Sequence, residues 1–549
     1  MNTHDQTNSA ISRRHLLRAA AGAGVAAILA ACGGGTATSP PSSGQATASP
    51  AAPVSGSASA PTARSATAGG AATATGGTAI VISTSSVPLS TDKLSLHWVQ
   101  SGPGPKGLFF KAYFAAYSQA HPNITIQLDE LPWPEIGKIV PLGVQNSNAP
   151  DVFQIPQNFT GGQAVSQGWV RPLDDLIPNF AQWKAAFPPG SFLDGVHIFN
   201  GKTYTFPFIT NKLYGTLLLS NVDVTRAAGV DTQTKPLMWD EYRAAAKKIT
   251  QQGGGKYYGA IFEGAQTSNW ETDVRNLARM AGASGGGDDL DYKTGEYHYT
   301  ADQYLAAIDL LLALKADGSV FPGTLSLNAQ QARAQMAQGV AGLMIQGPWN
   351  IEQWKTTSPN FAFDVASLPV PNTGAPMPLT YEPTGGYLWL YAKTKYPEVA
   401  SDLLTYLGTE QGQAAYVALS GGGEPAVFPQ ANQLPSLDPR IRKVNTLFDQ
   451  QMRLGPSPSV RNPDVEKVNL ERKTVTPDFG SVVQGIYTGQ ISDAKKAMQD
   501  LKDRSDKELD RAIKAAQAKG AKVSRDDYVF PNWDPTKDYT TADYAALKK

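Results

Sequence analysis

From Gly33 to Thr91 the chain carries one charged residue, Arg64, and is otherwise dominated by Gly, Ala, Ser, Thr and Pro. A segment with so little to bury cannot offset its ordering entropy, so it is expected to act as a tether. About 59 coil residues have an r.m.s. reach of roughly 40–45 Å. Any folded body must therefore be built from residues 92–549, a length that suits two large lobes or about three domains of roughly 150 residues. The chain has 47 Lys plus Arg against 47 Asp plus Glu, so no net field draws it to nucleic acid or anionic lipid. One cysteine in the whole chain excludes an internal disulfide framework and any multi-cysteine zinc site.

Upstream of the tether, Ser12-Arg13-Arg14-His15-Leu16-Leu17-Arg18 resembles a twin-arginine export signal, with Leu where the usual pattern has Phe. The apolar run Ala19 to Ala31 would rise about 20 Å as a helix, short of a roughly 30 Å hydrocarbon core, and so reads as the h-region of a signal peptide. Leu29-Ala30-Ala31-Cys32 resembles a bacterial lipobox, in which the cysteine takes a diacylglycerol and becomes the new N-terminus. The expectation is a signal peptide over 1–31, lipidation at Cys32, a tether over 32–91 and a body that works outside the cytoplasm beside a membrane.

The body opens with an α/β pattern. Leu94-Ser95-Leu96-His97-Trp98-Val99 alternates like a strand, and Phe110, Tyr113, Phe114 and Tyr117 mark a helical stripe that ends at His121-Pro122. Ile124 to Leu128 and Asp151 to Ile155 are further strands. Strands alternating with helices imply a mostly parallel sheet, which binds ligands at its strand C-terminal ends.

Two motifs point toward enzymes. Gly102-Pro103-Gly104-Pro105-Lys106-Gly107 satisfies the dinucleotide pattern G-x-G-x-x-G after a strand, and Asp129 lies near where a ribose-binding acid would sit. Against it, Pro103 and Pro105 each remove a backbone N–H from the loop that should cradle a pyrophosphate. An exported NAD(P)-dependent oxidoreductase stands as the alternative reading. Gly282-Ala283-Ser284-Gly285-Gly286 fits the nucleophile elbow G-x-S-x-G, but a helix precedes it (Thr272 to Met280) where that motif needs a strand. Four histidines follow the signal segment (His97, His121, His197 and His298), none in H-x-x-x-H spacing, so the reading assigns no metal and no cofactor. A cell-surface polysaccharide hydrolase is a third class, because acidic pairs are too numerous to nominate or dismiss from sequence.

The order of several segments resembles the extracellular solute-binding proteins of the maltose-binding type, over about residues 93–515. Asp194-Gly195, Asn200-Gly201-Lys202-Thr203-Tyr204-Thr205-Phe206-Pro207 and Leu217-Leu218-Leu219-Ser220-Asn221 are similar to that family's hinge crossing, which usually ends in Tyr-Asn-Lys. Ala228-Gly229-Val230, Met238-Trp239-Asp240-Glu241 and the run from Gln338 to Gly347-Pro348-Trp349 follow in the family's order. Gly385-Gly386-Tyr387 then precedes a return strand, Leu388 to Ala392, and a helix from Pro397 to Leu407.

The resemblance implies a type II periplasmic-binding-protein-like fold, α/β in class: two lobes joined by crossing strands, with an interlobe ligand cleft. It divides the body into 92–208 with 386–433, 209–385 with 434–519, and a C-terminal extension over 520–549. It implies a monomeric, non-enzymatic receptor that hands a carbohydrate to the transmembrane subunits of an ABC permease, held at the membrane by its lipid alone. In that scheme Trp349, at a strand end, is the aromatic that stacks on a sugar ring. A sugar offers C–H faces to indole and hydroxyls to polar groups. Further candidates are Trp98 and Gln100, Glu130 and Trp133, and Gln154 and Phe159, past the first three strands. Glu263, Trp270, Tyr381, Glu382, Gly385, Gly386 and Glu424 complete the set. Each of these would serve equally well in a packed core or a solvated loop.

Overall fold

The computed structural model describes residues 80, 82, 87–157, 159–210, 212, 217–286, 289–383 and 387–547; the signal segment, Cys32 and the tether as far as residue 79 lie outside them, whereas Ile80, Ile82 and Leu89, expected in the tether, pack against the core. Twelve strands are described, in chain order β1 (Leu94–Ser101), β2 (Ile124–Leu131), β3 (Val152–Phe153), β4 (Ile198–Phe199), β5 (Lys202–Thr203), β6 (Leu217–Asn221), β7 (Tyr258–Ala260), β8 (Ala341–Gln346), β9 (Phe363–Ser367), β10 (Leu379–Tyr381), β11 (Trp389–Leu390) and β12 (Met452–Leu454).

The first lobe is built on the sheet β11–β3–β1–β2. β1 runs parallel to β2, with Leu94 opposite Ile124 and Ser101 opposite Leu131, and parallel to β3. β11 closes the edge antiparallel to β3. The period of two in β1 sorts its side chains. Leu94, Leu96 and Trp98 pack with Phe110, Tyr113, Phe114 and Tyr117 of the helix Lys106–Ala120, and Val99 joins Phe153, Ile136 and Val140 in a separate cluster. The helix ends one residue before His121, where the sequence places its stop.

The second lobe is built on the sheet β7–β8–β6–β9. Its strands are near-continuous apolar runs, Leu217-Leu218-Leu219 and Ala341 to Ile345, buried on both faces. The mostly parallel sheet expected of the opening strands is the first lobe's, and this second sheet is mixed. β7 is parallel to β8, but β6 is antiparallel to both β8 and β9. Alternation of helices and strands along a chain does not say which strands become neighbours, and β6 enters this sheet between two strands that run against it.

The segment over Gly282–Gly286 is a loop after the helix Thr267–Met280, and Ser284 Oγ donates to Asp291 Oδ2 at 2.5 Å. The helix Pro397–Leu407 has the predicted bounds. At the C-terminus, Phe530, Trp533, Tyr539 and Tyr544 bury themselves with Tyr292. No helix among the described residues is long and apolar enough to cross a membrane.

Candidate functional site

In the first lobe the strand ends converge on a short hydrogen-bonded chain. Gln100 and Ser101 end β1, and Ser101 N donates to Gln154 Oε1 at 2.5 Å just past β3. Lys106 opens the following helix, and its Nζ donates to Ser101 Oγ at 2.6 Å and to the Tyr387 hydroxyl at 2.5 Å. Glu424 Oε1 lies 3.5 Å from that ammonium, while Tyr387 and Tyr416 donate to Oε2 of the same carboxylate. Burial first, and the Glu424 charge second, hold both tyrosine pKa values well above the usual phenol value, so both stay neutral hydrogen-bonding groups. Gln100 is fully buried, and neither of its side-chain amide atoms has a hydrogen-bond partner among the described protein atoms.

In the second lobe β8 ends at Gln346, and Gly347-Pro348 leads into Trp349 and the helix Asn350–Thr357. A Cβ at Gly347 would fall 2.2 Å from the Trp349 ring, so only glycine lets the indole lie against this backbone. Gln346 Nε2 donates to Glu263 Oε1 at 2.5 Å, and its Oε1 accepts from Gly347 N at 2.8 Å. Burial raises the Glu263 pKa against the pull of Gln346 and Arg333. Asp273 is raised further, by burial and then by the Glu263 charge. The Arg333 guanidinium lies 5.8 Å from the Trp349 ring centroid, within cation–π range. Trp349 Nε1 has no hydrogen-bond partner among the described protein atoms.

The loop 421–424 brings these two halves together. A Cβ at Gly423 would lie 3.2 Å from Trp349 Cα, and the next residue is Glu424 of the first-lobe chain. Glu352, one turn into the helix after Trp349, packs on Gly421, where φ is +78°. The fold thus places an aromatic plane, buried amides and carboxylates, and a compensated ammonium around one loop. Such a set can stack on a ring and exchange hydrogen bonds with several hydroxyls.

Of the candidates read from sequence, Gln154, Glu263, Trp349 and Glu424 join this arrangement, and Gln100 stands beside it at the end of β1. Trp98 and Trp270 pack among aromatic side chains elsewhere. Trp98 is fully buried between Phe110 and Phe114, with centroids 5.5 and 5.0 Å away. Trp270 packs on Tyr487 with centroids 4.5 Å apart and donates its Nε1 proton to Gly264 O. The pleat directs Trp98 to the helix-covered face of β1, and helix Thr267–Met280 turns Trp270 inward.

Trp133 starts the helix Trp133–Gln145 and is partly buried, and Phe159 packs on Trp169 at 4.7 Å. Tyr381 donates to Asn276 Oδ1 and lies beneath Arg279, while Glu382 borders Gly286. Gly385 and Gly386 lie outside the described residues. Two surface concavities of about 410 and 340 Å³, around Leu237 and around Trp183, hold none of the candidates. Among the described residues no group of three or more His, Cys, Asp or Glu is placed to hold a metal ion.

Sequence reading does not nominate Lys106, Tyr387, Tyr416, Gln346 or Arg333. Lys106, Tyr387 and Gln346 each sit within a few residues of a strand end, a signal that would have found them. Tyr416 and Arg333 come from helices and leave no such mark.

The glycine loop is shaped against a pyrophosphate. A Cβ at Gly102 or Gly107 would meet the side chain of Glu130, at 2.7 and 2.0 Å, so a carboxylate fills the space over the loop. Lys111 pairs with that carboxylate at 2.5 Å. Asp129, at the ribose-acid position, is engaged with His97 Nε2 at 2.8 Å.

A Brucella abortus protein named as a binding protein is 27% identical over 315 residues, covering 57% of this chain and 72% of its own length. A Streptomyces antibioticus protein named as a lipoprotein is 26% identical over 149 residues, 27% of this chain and 31% of that one. Among solved structures, the GacH receptor of Streptomyces glaucescens, described unliganded and with acarbose, has a TM-score of 0.58 at 19% identity, covering 76% of this chain and 98% of its own. The Thermus thermophilus maltotriose-binding protein with maltotriose has a TM-score of 0.56 at 17% identity, covering 77% and 100%. These neighbours share the two-lobed α/β binding-protein fold. Residues 101–414 match the family model of the bacterial extracellular solute-binding proteins, and the chain, α/β with one sheet in each lobe and a polar, aromatic-lined junction between them, belongs to that family.

Proposed function

We propose that this protein is a lipid-anchored extracytoplasmic receptor that binds a sugar or oligosaccharide between its lobes and delivers it to an ABC importer without altering it. The observation that carries this reading is the Trp349 indole lying on Gly347 beside the Glu263–Gln346 pair, next to the loop that also supplies Glu424. Structures similar to this chain are described with acarbose, maltotriose and raffinose, which supports a carbohydrate class. The lobes are 92–208 with 386–433 and 209–385 with 434–519, and ligand contacts owned by each favour the closed state.

Burying about 50–80 Å² of ring against Trp349 contributes roughly 1–2 kcal/mol. Micromolar binding needs about 8 kcal/mol, so the amides and carboxylates supply the rest. The ligand contacts are assigned to Trp349, Gln100, Gln154, Glu263 and Glu424.

The anchor rests on Arg13-Arg14 and on Cys32 behind Leu29-Ala30-Ala31, with the lipoprotein name of one relative in support. Lipid and tether then keep the receptor near the permease. A thermal-shift screen of the purified protein against a broad carbohydrate panel tests the ligand class. At least one sugar is expected to raise the melting temperature, and a panel without effect while NAD(P) raises it would overturn the reading. Cys32→Ser is expected to move the protein from the membrane fraction to the soluble one.

A further inference from the structure

A second contact between the lobes is built around a buried carboxylate. In the first lobe, the helix Gly161–Ser166 is fixed against β11 at Gly161, where a Cβ would fall 2.4 Å from the Trp389 ring. Thr160 caps this helix, its hydroxyl accepting from Gln163 N at 3.1 Å. Facing it is the helix Val465–Glu471. That helix packs on Ala494–Ala518, which in turn contacts Phe479–Thr488, the partner of Thr267–Met280 in the second lobe.

Glu466 reaches from this second-lobe layer into the seam. Thr160 Oγ1 donates to Glu466 Oε2 at 2.5 Å, and Ser459 Oγ donates to Oε1 at 2.5 Å. The fit around it is close: a Cβ at Gly162 would lie 2.2 Å from Glu466 Cγ. Gln163 Nε2 donates to Asn469 O at 2.8 Å, and a Cβ at Gly195 would lie 2.4 Å from Ser459 O.

We infer that Glu466 is a positioning residue that latches the lobes together by exchanging water for the Thr160 hydroxyl when they meet. A desolvated carboxylate must be hydrogen-bonded, so Glu466 tolerates the closed seam only while Thr160 and Ser459 both donate to it. The contact is polar on both sides, and when the seam opens water replaces the Thr160 hydroxyl while Ser459, on the same side as Glu466, keeps its bond. The latch rests on lobe movement and not on what the cleft holds.

The test uses the full chain without added sugar. Thr160→Asp keeps a good helix cap but sets a carboxylate against Glu466. It is expected to expand the particle in small-angle scattering and to speed amide exchange about tenfold in both 161–166 and 465–471. Adding Glu466→Gln to Thr160→Asp supplies an amide donor and is expected to restore both readouts. Thr160→Ser, which keeps cap and hydroxyl, is expected to match wild type. Wild-type scattering and exchange in Thr160→Asp would overturn the latch, as would an opening that Glu466→Gln fails to reverse. Failure of every sugar in the thermal screen would leave this result standing.

Discussion

Two buried sites, His197 in the first lobe and Asp289 in the second, meet the cost of burying a titratable group in opposite ways. The first neutralises: His197 is buried behind β4, accepts from Leu193 N at 3.2 Å, and has its pKa lowered to about 3 by burial and then by the nearby Lys184 charge. The second pairs: Arg275 bonds Asp289 through Nε and Nη2, each at 2.7 Å, Arg279 stands 3.6 Å away, and the Tyr304 hydroxyl donates to Asp289 Oδ1 at 2.7 Å. Each solution answers the same penalty, the cost of a charge out of water. One removes the charge and the other surrounds it with partners. At the candidate site the two solutions change places: the Lys106 ammonium is paired with Glu424, while burial raises the Glu263 and Asp273 carboxyls toward neutrality. The first lobe offers amides, hydroxyls and a compensated ammonium, and the second an indole beside buried acids.

Removing a partner from the second lobe should do the most damage. Asp289→Asn leaves Arg279 facing no carboxylate and Arg275 with Glu271 alone, and is expected to cost about 3–5 kcal/mol in chemical denaturation. The first lobe should instead fail by acid. Unfolded His197 takes a proton near pH 6.5 while the folded residue stays neutral down to about 3. Its contribution is complete above about pH 6.5 and is lost as pH falls toward 3, at about 1.4 kcal/mol per pH unit. His197→Gln is expected to flatten that part of the stability–pH curve, and an unchanged slope would refute the contrast.

At the site, Trp349→Ala is expected to weaken carbohydrate binding about 5- to 30-fold by titration calorimetry, the equivalent of roughly 1–2 kcal/mol of ring burial. The smallest effect sharpens the comparison most. Gln100→Leu removes a buried amide with no described protein partner, so melting should stay within about 1 kcal/mol of wild type or rise while sugar affinity falls.

Much of this was legible along the chain. The alternation through β1, the aromatic stripe on the helix after it and the bounds of Pro397–Leu407 are local patterns, and the backbone follows them. The Gly347-Pro348-Trp349 turn also reads correctly, because a glycine before an aromatic at a strand end is a local packing requirement. That Trp98 packs under Phe110 and Phe114 is not legible, because alternation says that one face of a strand is buried but not what covers it. Lys106 went unnominated because its partners, Tyr387 and Glu424, come from distant parts of the chain.

Composition and periodicity alone separated a segment with nothing to bury from a body able to fold, and set which stretches of that body become strands and which become helices. Those properties depend on neighbours within a few residues. Tertiary structure alone decided that β6 runs against β8 and β9, that Glu130 fills the glycine loop, and that Gly423 meets Trp349 beside Glu424. Such contacts join residues far apart in sequence, and they are selected by the shape and charge of whole packed layers, which no local pattern encodes.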